Sequence, residues 1–202
     1  MDLAWEVFSD YLFAIHQRFE IKVCCFVLMP NHFHLICLDP NAQLSSAMSL
    51  FMKETSREIN RLSERINRLW GKPYFSSIIS NPIYYLHAYK YIYRNPVAAE
   101  FCEKVEDYQW SSLQILLGKR PGIVPLVEDD TLFSSVEATI NWLNIAYTKQ
   151  DAEYLSKAFR KKAFEIPHKK ESKEKNPLCE WYSLPSFYAP PNQLLGGTSV
   201  SA

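Results

Sequence analysis

The sequence is poor in several features that mark particular classes of protein. It has five glycines in 202 residues and no GxxxxGK[ST] segment, so it lacks the loop that cradles a nucleotide triphosphate. Its five cysteines show no CxxC spacing, which argues against a disulfide framework and a thiolate zinc site. No run approaches the roughly 18 apolar residues of a membrane span. These absences predict a cytoplasmic globular protein without a membrane partner.

The sequence also has no excess of positive or negative charge. The chain carries 22 basic and 22 acidic residues, and its formal net charge is zero. This balance argues against indiscriminate coating of nucleic acid but leaves room for a local basic surface. The first residues, MDLAWEVFSDYLF, hold acids where a signal peptide would be basic. With 48% hydrophobic residues, the chain has enough apolar material for one good core.

The hydrophobic pattern predicts an order of helices and strands. Apolar residues three and four apart predict helices over 3–18 and 44–69, the second ending before Gly71. Two apolar runs, 21–28 and 32–38, flank Met29-Pro30-Asn31 and predict a hairpin. A third strand is predicted over 74–79. Pro82 opens a further helix that should end near Asn95, because Pro96 disfavours the helical conformation before it.

This order predicts an α+β fold, a ferredoxin-like split βαβ antiparallel sheet with helices on one face. No strand precedes the first helix, so the first strand of the pattern is apparently missing and the domain is N-terminally incomplete. Residues 1–118 are interpreted as this domain and 119–130, with two prolines and one glycine, as a linker. We expect a helical basic C-terminal region over 131–170 and a disordered tail over 171–202.

Two histidines stand out in the second strand run, FVLMPNHFHLICL. Residues i and i+2 of a strand point to the same side, so His32 and His34 can converge on one ion while Phe33 turns into the core. The alternative is that both rings simply form hydrogen bonds at the sheet surface. A nucleophile and an oxygen ligand stand elsewhere: Tyr91 and Asn95 are four residues apart and share one helical face.

These segments carry a resemblance to a known family. VLMPNHFHLI resembles the His-hydrophobic-His signature of the HUH nucleases, and YIYRNPVAAEFC followed by YQWSSL resembles segments of the REP-associated tyrosine transposases. These are single-tyrosine relatives of insertion-sequence transposases. The resemblance runs from the first helix to about Trp110 and continues weakly into INWLNIAY and LSKAFRKKAFEIP.

The resemblance implies a metal-dependent enzyme of DNA transposition. His32, His34 and the side-chain oxygen of Asn95 would hold Mg²⁺ or Mn²⁺, and Tyr91 would attack the scissile phosphate. The product would be a 5′-phosphotyrosine and a free 3′-hydroxyl, from which strands can be rejoined without ATP. The implied partner is single-stranded or hairpin DNA, bound by a monomer or a homodimer.

Several residues outside this site are also assigned roles. The remaining tyrosines of the third helix are interpreted as packing residues, and His87 as forming a structural hydrogen bond. Trp70, Tyr74 and Phe75 are candidates for stacking on unpaired bases. Trp110-Ser111-Ser112 is expected to pack and to cap a helix. The predicted DNA-binding residues form a basic cluster in the C-terminal region: Arg160, Lys161, Lys162, Lys169 and Lys170.

Two other functions compete with the enzyme. A degenerate or domesticated relative would recognise a DNA hairpin without cutting it, and the missing first strand favours that reading. An RNA-binding sheet is disfavoured, because the sequence has no RNP-like aromatic motif.

Overall fold

The computed structural model describes residues 1–64, 66, 69–166, 177–179 and 197–201. The chain divides into two compact units, the first formed by 1–75, 109–127 and 200–202 and the second by 76–108 and 128–199. The elements are α1 (Asp2–Phe19), β1 (Lys22–Leu28), β2 (Phe33–Leu38), α2 (Leu44–Leu62), β3 (Phe75–Ile79), α3 (Pro82–Ala98), α4 (Ser112–Leu116), α5 (Asp130–Phe133), α6 (Val136–Asn144), α7 (Lys149–Ala158) and β4 (Gly197–Ser201).

The chain is α+β, as predicted, and the order helix, strand, strand, helix, strand, helix is found. α1 buries the apolar residues that recur along one face, and it ends at Phe19. The capping residue Glu20 donates its amide to the His16 carbonyl and turns the chain out of the helix with a left-handed φ of 58°. The core of the first unit lies between α1, α2 and the hairpin. Its aromatic centre comprises Trp5, Phe8, Phe26, Phe33 and Phe51. None of the helices in the described residues is long and apolar enough to cross a membrane.

β1 and β2 form the predicted antiparallel hairpin. Their register runs from Lys22 opposite Leu38 to Leu28 opposite Phe33, with a bulge between Val23 and Cys25. The Met29 amide bonds the His32 carbonyl and closes the turn. The next strand beside β2 is β4, whose last residues belong to the same unit. β2 is therefore flanked by β1 on one side and by β4 on the other.

The outer side of β1 is bonded to the segment after Tyr108. Near one end of β1, the Leu28 amide donates to the Trp110 carbonyl and the Phe26 amide to Ser112 Oγ. At the other end, Val127 donates to the Val23 carbonyl. Ser111 also caps α4 by accepting from the Leu113 amide. The packing and capping role predicted for Trp110-Ser111-Ser112 is confirmed, and part of the predicted linker is bonded to the hairpin strand.

The predicted end of the second helix is wrong. α2 ends at Leu62, and Glu64 takes a left-handed φ of 53°, which the helical pattern cannot reveal. Ile66, an apolar residue within the predicted helix 44–69, is fully exposed. Trp70 belongs to the core of the first unit because its indole Nε1 donates to the Met52 carbonyl across 2.9 Å. The chain turns back there instead of continuing the helix.

In the second unit, α3 begins as predicted, with Pro82 in its first turn and the Asn81 side chain accepting from the Ile83 amide. Its predicted end near Asn95 is wrong, because the helix includes Pro96 and continues to Ala98. A proline lacks only its own amide donor, so in a last turn it removes one helical bond. Residues 96–98 therefore extend the helix beyond Asn95.

The predicted helical C-terminal region is present, but it is divided among α5, α6 and α7. Separate caps interrupt it: Asp129 accepts from the Leu132 amide, and Thr148 accepts from the Asp151 amide. The carboxylate of Asp129 also accepts from the buried Tyr89 hydroxyl. Within 171–202, the structure describes a 3-10 turn at Pro177–Cys179 and β4, and the rest lies outside the described residues. The predicted domain boundaries stay predictions.

A lysine is buried among aromatic rings in the second unit. Lys90 of α3 is 4% exposed, and its Nζ lies 4.8 Å from the Trp142 ring centroid and 4.9 Å from that of Tyr147. Burial, followed by the nearby charge of Arg94, lowers the pKa of Lys90 from 10.5 to about 8. The ring faces offset only part of the cost of removing the ammonium from water.

We therefore expect Lys90→Met to raise stability at pH 7. The lowered pKa corresponds to a cost on the order of 3 kcal/mol, of which the cation–π contacts return about 1 to 2 kcal/mol. Since the folded pKa is depressed, the cost is complete below about pH 8 and vanishes as the pH rises past 10.5. The midpoint of thermal unfolding should be higher in Lys90→Met than in the unchanged protein at pH 7, and this difference should be smaller at pH 10.

The matched control is Lys149→Met, because Lys149 is an exposed lysine of the same unit. This substitution should change the midpoint of thermal unfolding little at either pH. A lower midpoint for Lys90→Met at pH 7 would show that the ring contacts outweigh the cost of burial.

Candidate active site

The two histidines of the hairpin lie side by side. His32 directly precedes β2, and His34, its second residue, stands opposite Val27. Nε2 of His32 and Nε2 of His34 are 3.2 Å apart, and their ring planes meet at 88°. Phe33 between them is fully buried in the core. The strand alternation thus brings both imidazoles together, as predicted.

Asn31 sets the tautomer of the first histidine. His32 Nδ1 donates to Asn31 Oδ1 across 2.6 Å, since a carboxamide oxygen can only accept. The proton of His32 therefore lies on Nδ1, and Nε2 accepts the hydrogen bond that His34 Nε2 donates. Burial lowers the pKa of His32, and burial followed by the charge of His32 lowers that of His34 to about 3. Both rings are neutral at pH 7, the form in which imidazole binds metals.

The spacing of these nitrogens fits a shared ion. Two ligand atoms about 2.1 Å from one ion and about 90° to 110° apart are about 3.0 to 3.4 Å from each other. An ion between the rings would replace the proton that they now share. No group of three His, Cys, Asp or Glu side chains in the described part of the chain could hold a metal. Further ligands would therefore be amide oxygens, phosphate oxygens or water.

The second unit carries the other predicted site residues. Tyr91 and Asn95 are one turn apart on α3, and both are half-buried. The Tyr91 ring packs on Phe159, with centroids 4.7 Å apart and planes at 37°. Phe159 follows α7 and also packs edge-on against Phe164. The tyrosine is thus held by an aromatic pair while part of its side chain stays accessible.

Burial separates Tyr91 from three of its neighbours on α3. Tyr85, Tyr89 and Tyr93 form a buried row of contacting rings, in which Tyr89 donates its hydroxyl to Asp129 across 2.7 Å. The packing role predicted for these three tyrosines agrees with their burial. Tyr84 is half-buried, as Tyr91 is, and desolvation is the main cause that raises its pKa to about 12. Tyr91 is half-buried and stands four residues before Asn95.

Two further predictions concern polar residues. His87 is buried and forms a 2.9 Å hydrogen bond between its Nδ1 and the Tyr147 hydroxyl, the structural role predicted for it. Arg160, Lys161 and Lys162 follow α7 and are exposed. Lys169 and Lys170 lie outside the described residues. The DNA-binding role of this basic cluster stays a prediction.

The predicted site residues fall in both units: the histidine pair with its converging nitrogens lies in the first, and Tyr91 and Asn95 lie on α3 in the second. Residues 4–95 match the model of a family described as transposase IS200 like. This match begins in α1, contains His32, His34 and Tyr91, and ends at Asn95. It does not distinguish the REP-associated subgroup. No curated protein and no solved structure matches the sequence.

Sequence reasoning missed the partners of these residues. Asn31 was interpreted only as part of the turn, although an amide next to a candidate ligand is a usual orienting group. That adjacency is a usable sequence signal. The packing of Phe159 on Tyr91 had no such signal, because 68 positions separate them and only the fold brings them together.

Proposed function

We propose that the chain is a transposase of the IS200-like class, which cleaves and rejoins single-stranded DNA through a 5′-phosphotyrosine. The family match over 4–95 supports the class, and the converging Nε2 atoms carry the chemical argument. The REP-associated subgroup, with hairpin DNA as its substrate, is the finer form of the proposal and rests on the YIYRNP and WSS segments.

In this proposal His32, His34 and the Asn95 side-chain oxygen hold Mg²⁺ or Mn²⁺. A bound ion would supply Lewis-acid stabilisation of the charge that develops on the phosphate oxygens. Asn31 orients the His32 ring and keeps its Nε2 lone pair available. The neutral state of both imidazoles lets them bind a cation without first losing a charge.

Tyr91 is the proposed nucleophile. Its phenolic oxygen forms a bond to phosphorus as the bond from phosphorus to the 3′-oxygen breaks, and the phenol proton is lost. The 3′-oxygen leaves as a hydroxyl, while the 5′ end stays on the protein. The reverse attack by a 3′-hydroxyl rejoins the strand, so no external energy source is needed. The contact with Phe159 holds the ring during both steps.

A labelled-strand assay tests this function. The substrate is a pool of single strands that carry a hairpin flanked by randomised nucleotides, labelled at either the 3′ or the 5′ end. With Mn²⁺, we expect a denaturation-resistant adduct that retains the 3′ label, because the protein keeps the 5′ end of the downstream fragment. EDTA should abolish this adduct.

The same assay distinguishes the competing functions. An adduct with the 5′ label would contradict the proposed polarity. A mobility shift without any adduct would favour the degenerate relative that binds DNA hairpins without cutting them. A shift with RNA and none with DNA would contradict the transposase class itself.

A further inference from the structure

A cavity opens beside the histidine pair within the first unit. Its volume is about 210 Å³, and it lies between the start of α1, the hairpin turn, the end of α2 and Trp70. Most of its wall is apolar, including Ala4, Phe8 and Leu28. The lining residues also include Asn31 and His32, whose side chains are polar, and Met1, which carries the N-terminal amino group.

The wall of this cavity is held rigidly. The Trp70 indole is fixed by its hydrogen bond to the Met52 carbonyl and packs edge-on against Phe8 and Phe33, at centroid distances of 5.6 and 5.5 Å. Phe8 is 2% exposed. The Asn31 side chain is anchored to His32 Nδ1. A ligand would therefore meet a preformed site, with little ordering to pay for on binding.

The chemistry of the wall selects the kind of ligand. An apolar, partly aromatic wall with a few polar groups suits a flat heteroaromatic ring with a polar edge. The Asn31 carboxamide has donors and an acceptor, as the edge of a base does. Unpaired bases are the part of single-stranded DNA that stacks on aromatic side chains.

We infer that this cavity binds one unpaired base of the DNA, in the nucleotide next to the cleaved phosphate. The inference rests on the proposed function. His32 belongs to both the cavity and the histidine pair. It lines the cavity, and its Nε2 lies 3.2 Å from Nε2 of His34. A base in the cavity would thus hold its own phosphate beside the histidine pair. The cavity thus recognises the nucleotide at the cleavage site, independently of any contact between the protein and a DNA hairpin.

The test combines a filled cavity with a base-by-base deletion of the DNA. Ala4→Leu adds volume into the cavity, and Ala14→Leu adds the same volume elsewhere on α1. Each protein is titrated, in EDTA, with strands that carry one abasic site at successive positions, and binding is followed by anisotropy. Adduct formation with Mn²⁺ is measured on the same strands.

For the unchanged protein and for Ala14→Leu, one abasic position beside the cut should weaken binding by about 10-fold. For Ala4→Leu, the intact strand should already bind that much more weakly, and the abasic site should cost nothing further. Trp70→Leu, which removes the aromatic wall, is the second variant and should give the same flat profile. Melting curves of all variants show whether each one is folded.

The outcomes separate the two proposals. Adducts combined with identical abasic profiles in Ala4→Leu, Trp70→Leu and the unchanged protein would overturn the base site and leave the transposase function standing. Absence of adducts, with the expected difference between profiles, would overturn the cleavage function and the placement of the base at a cut, and would leave the cavity as a site for an unpaired base. Absence of any binding to single-stranded DNA would overturn both.

Discussion

Tyr91→Phe should abolish the covalent adduct while leaving DNA binding intact. The substitution removes only the phenolic oxygen and keeps the ring that packs on Phe159, so the fold of the second unit should not change. Loss of a nucleophile removes the covalent route completely, and we expect the rate of adduct formation to fall by a factor on the order of 10³ or more. Denaturing gels measure the adduct, and anisotropy measures the binding.

The matched control for this result is Tyr84→Phe. Tyr84 is also a half-buried tyrosine of α3, and its hydroxyl lies 4.0 Å from Cys179 Sγ. We expect this variant to form the adduct at close to the normal rate. Tyr89 is unsuitable as a control, because removing its hydroxyl would leave the buried Asp129 without that hydrogen bond. Loss of the adduct in Tyr84→Phe but not in Tyr91→Phe would show that the nucleophile is misassigned.

Substitution of either histidine of the pair should remove the divalent-metal site. Isothermal titration with Mn²⁺ should show one site in the unchanged protein and at least about a 100-fold weaker one in His32→Ala and in His34→Leu, since direct ligands matter more than the groups that orient them. Leu is chosen at His34 because truncation of this buried side chain would leave a cavity, and because Leu has no atom that binds a cation. Asn31→Ala should weaken binding by about 10-fold through the orientation of His32.

His16→Ala provides the control for metal binding. His16 lies on α1, where its Nδ1 bonds the Ile21 carbonyl, and it takes no part in the pair. Its loss should leave the Mn²⁺ titration unchanged. Unaltered binding in both His32→Ala and His34→Leu would exclude the pair as ligands, and with them the metal-dependent form of the proposed mechanism.

Local patterns predicted the elements that carry the candidate residues in each unit. The alternation of a strand places His32 and His34 on one side, and Pro82 with the Asn81 cap starts α3 where expected. Such features depend on residues within a few positions of each other. The same limit explains the wrong end of α2. The apolar periodicity continues past Leu62, and no residue near Ile66 indicates in the sequence that the helix has ended.

What the sequence could not show depends on contacts between distant positions. Lys90 reads as an ordinary surface lysine, yet Trp142 and Tyr147 enclose its ammonium. Asp129 reads as a linker residue, yet it caps α5 and bonds Tyr89 across 40 positions. The cavity beside His32 likewise depends on Trp70 folding back to Met52. These contacts exist only once the core has formed, so no window of sequence contains them.

The covered side of β1 has a consequence for how molecules of this chain meet. An open strand edge is a template on which a neighbouring molecule can add a strand and start an aggregate. Here the amides of Phe26 and Leu28 are already bonded to Ser112 Oγ and the Trp110 carbonyl, and at the other end of β1 the Val23 carbonyl accepts from the Val127 amide. A second molecule therefore finds no continuous row of donors. The segment Trp110-Ser111-Ser112 therefore protects this side of β1 from pairing with another molecule. It must detach before β1 can bind a strand of a second chain.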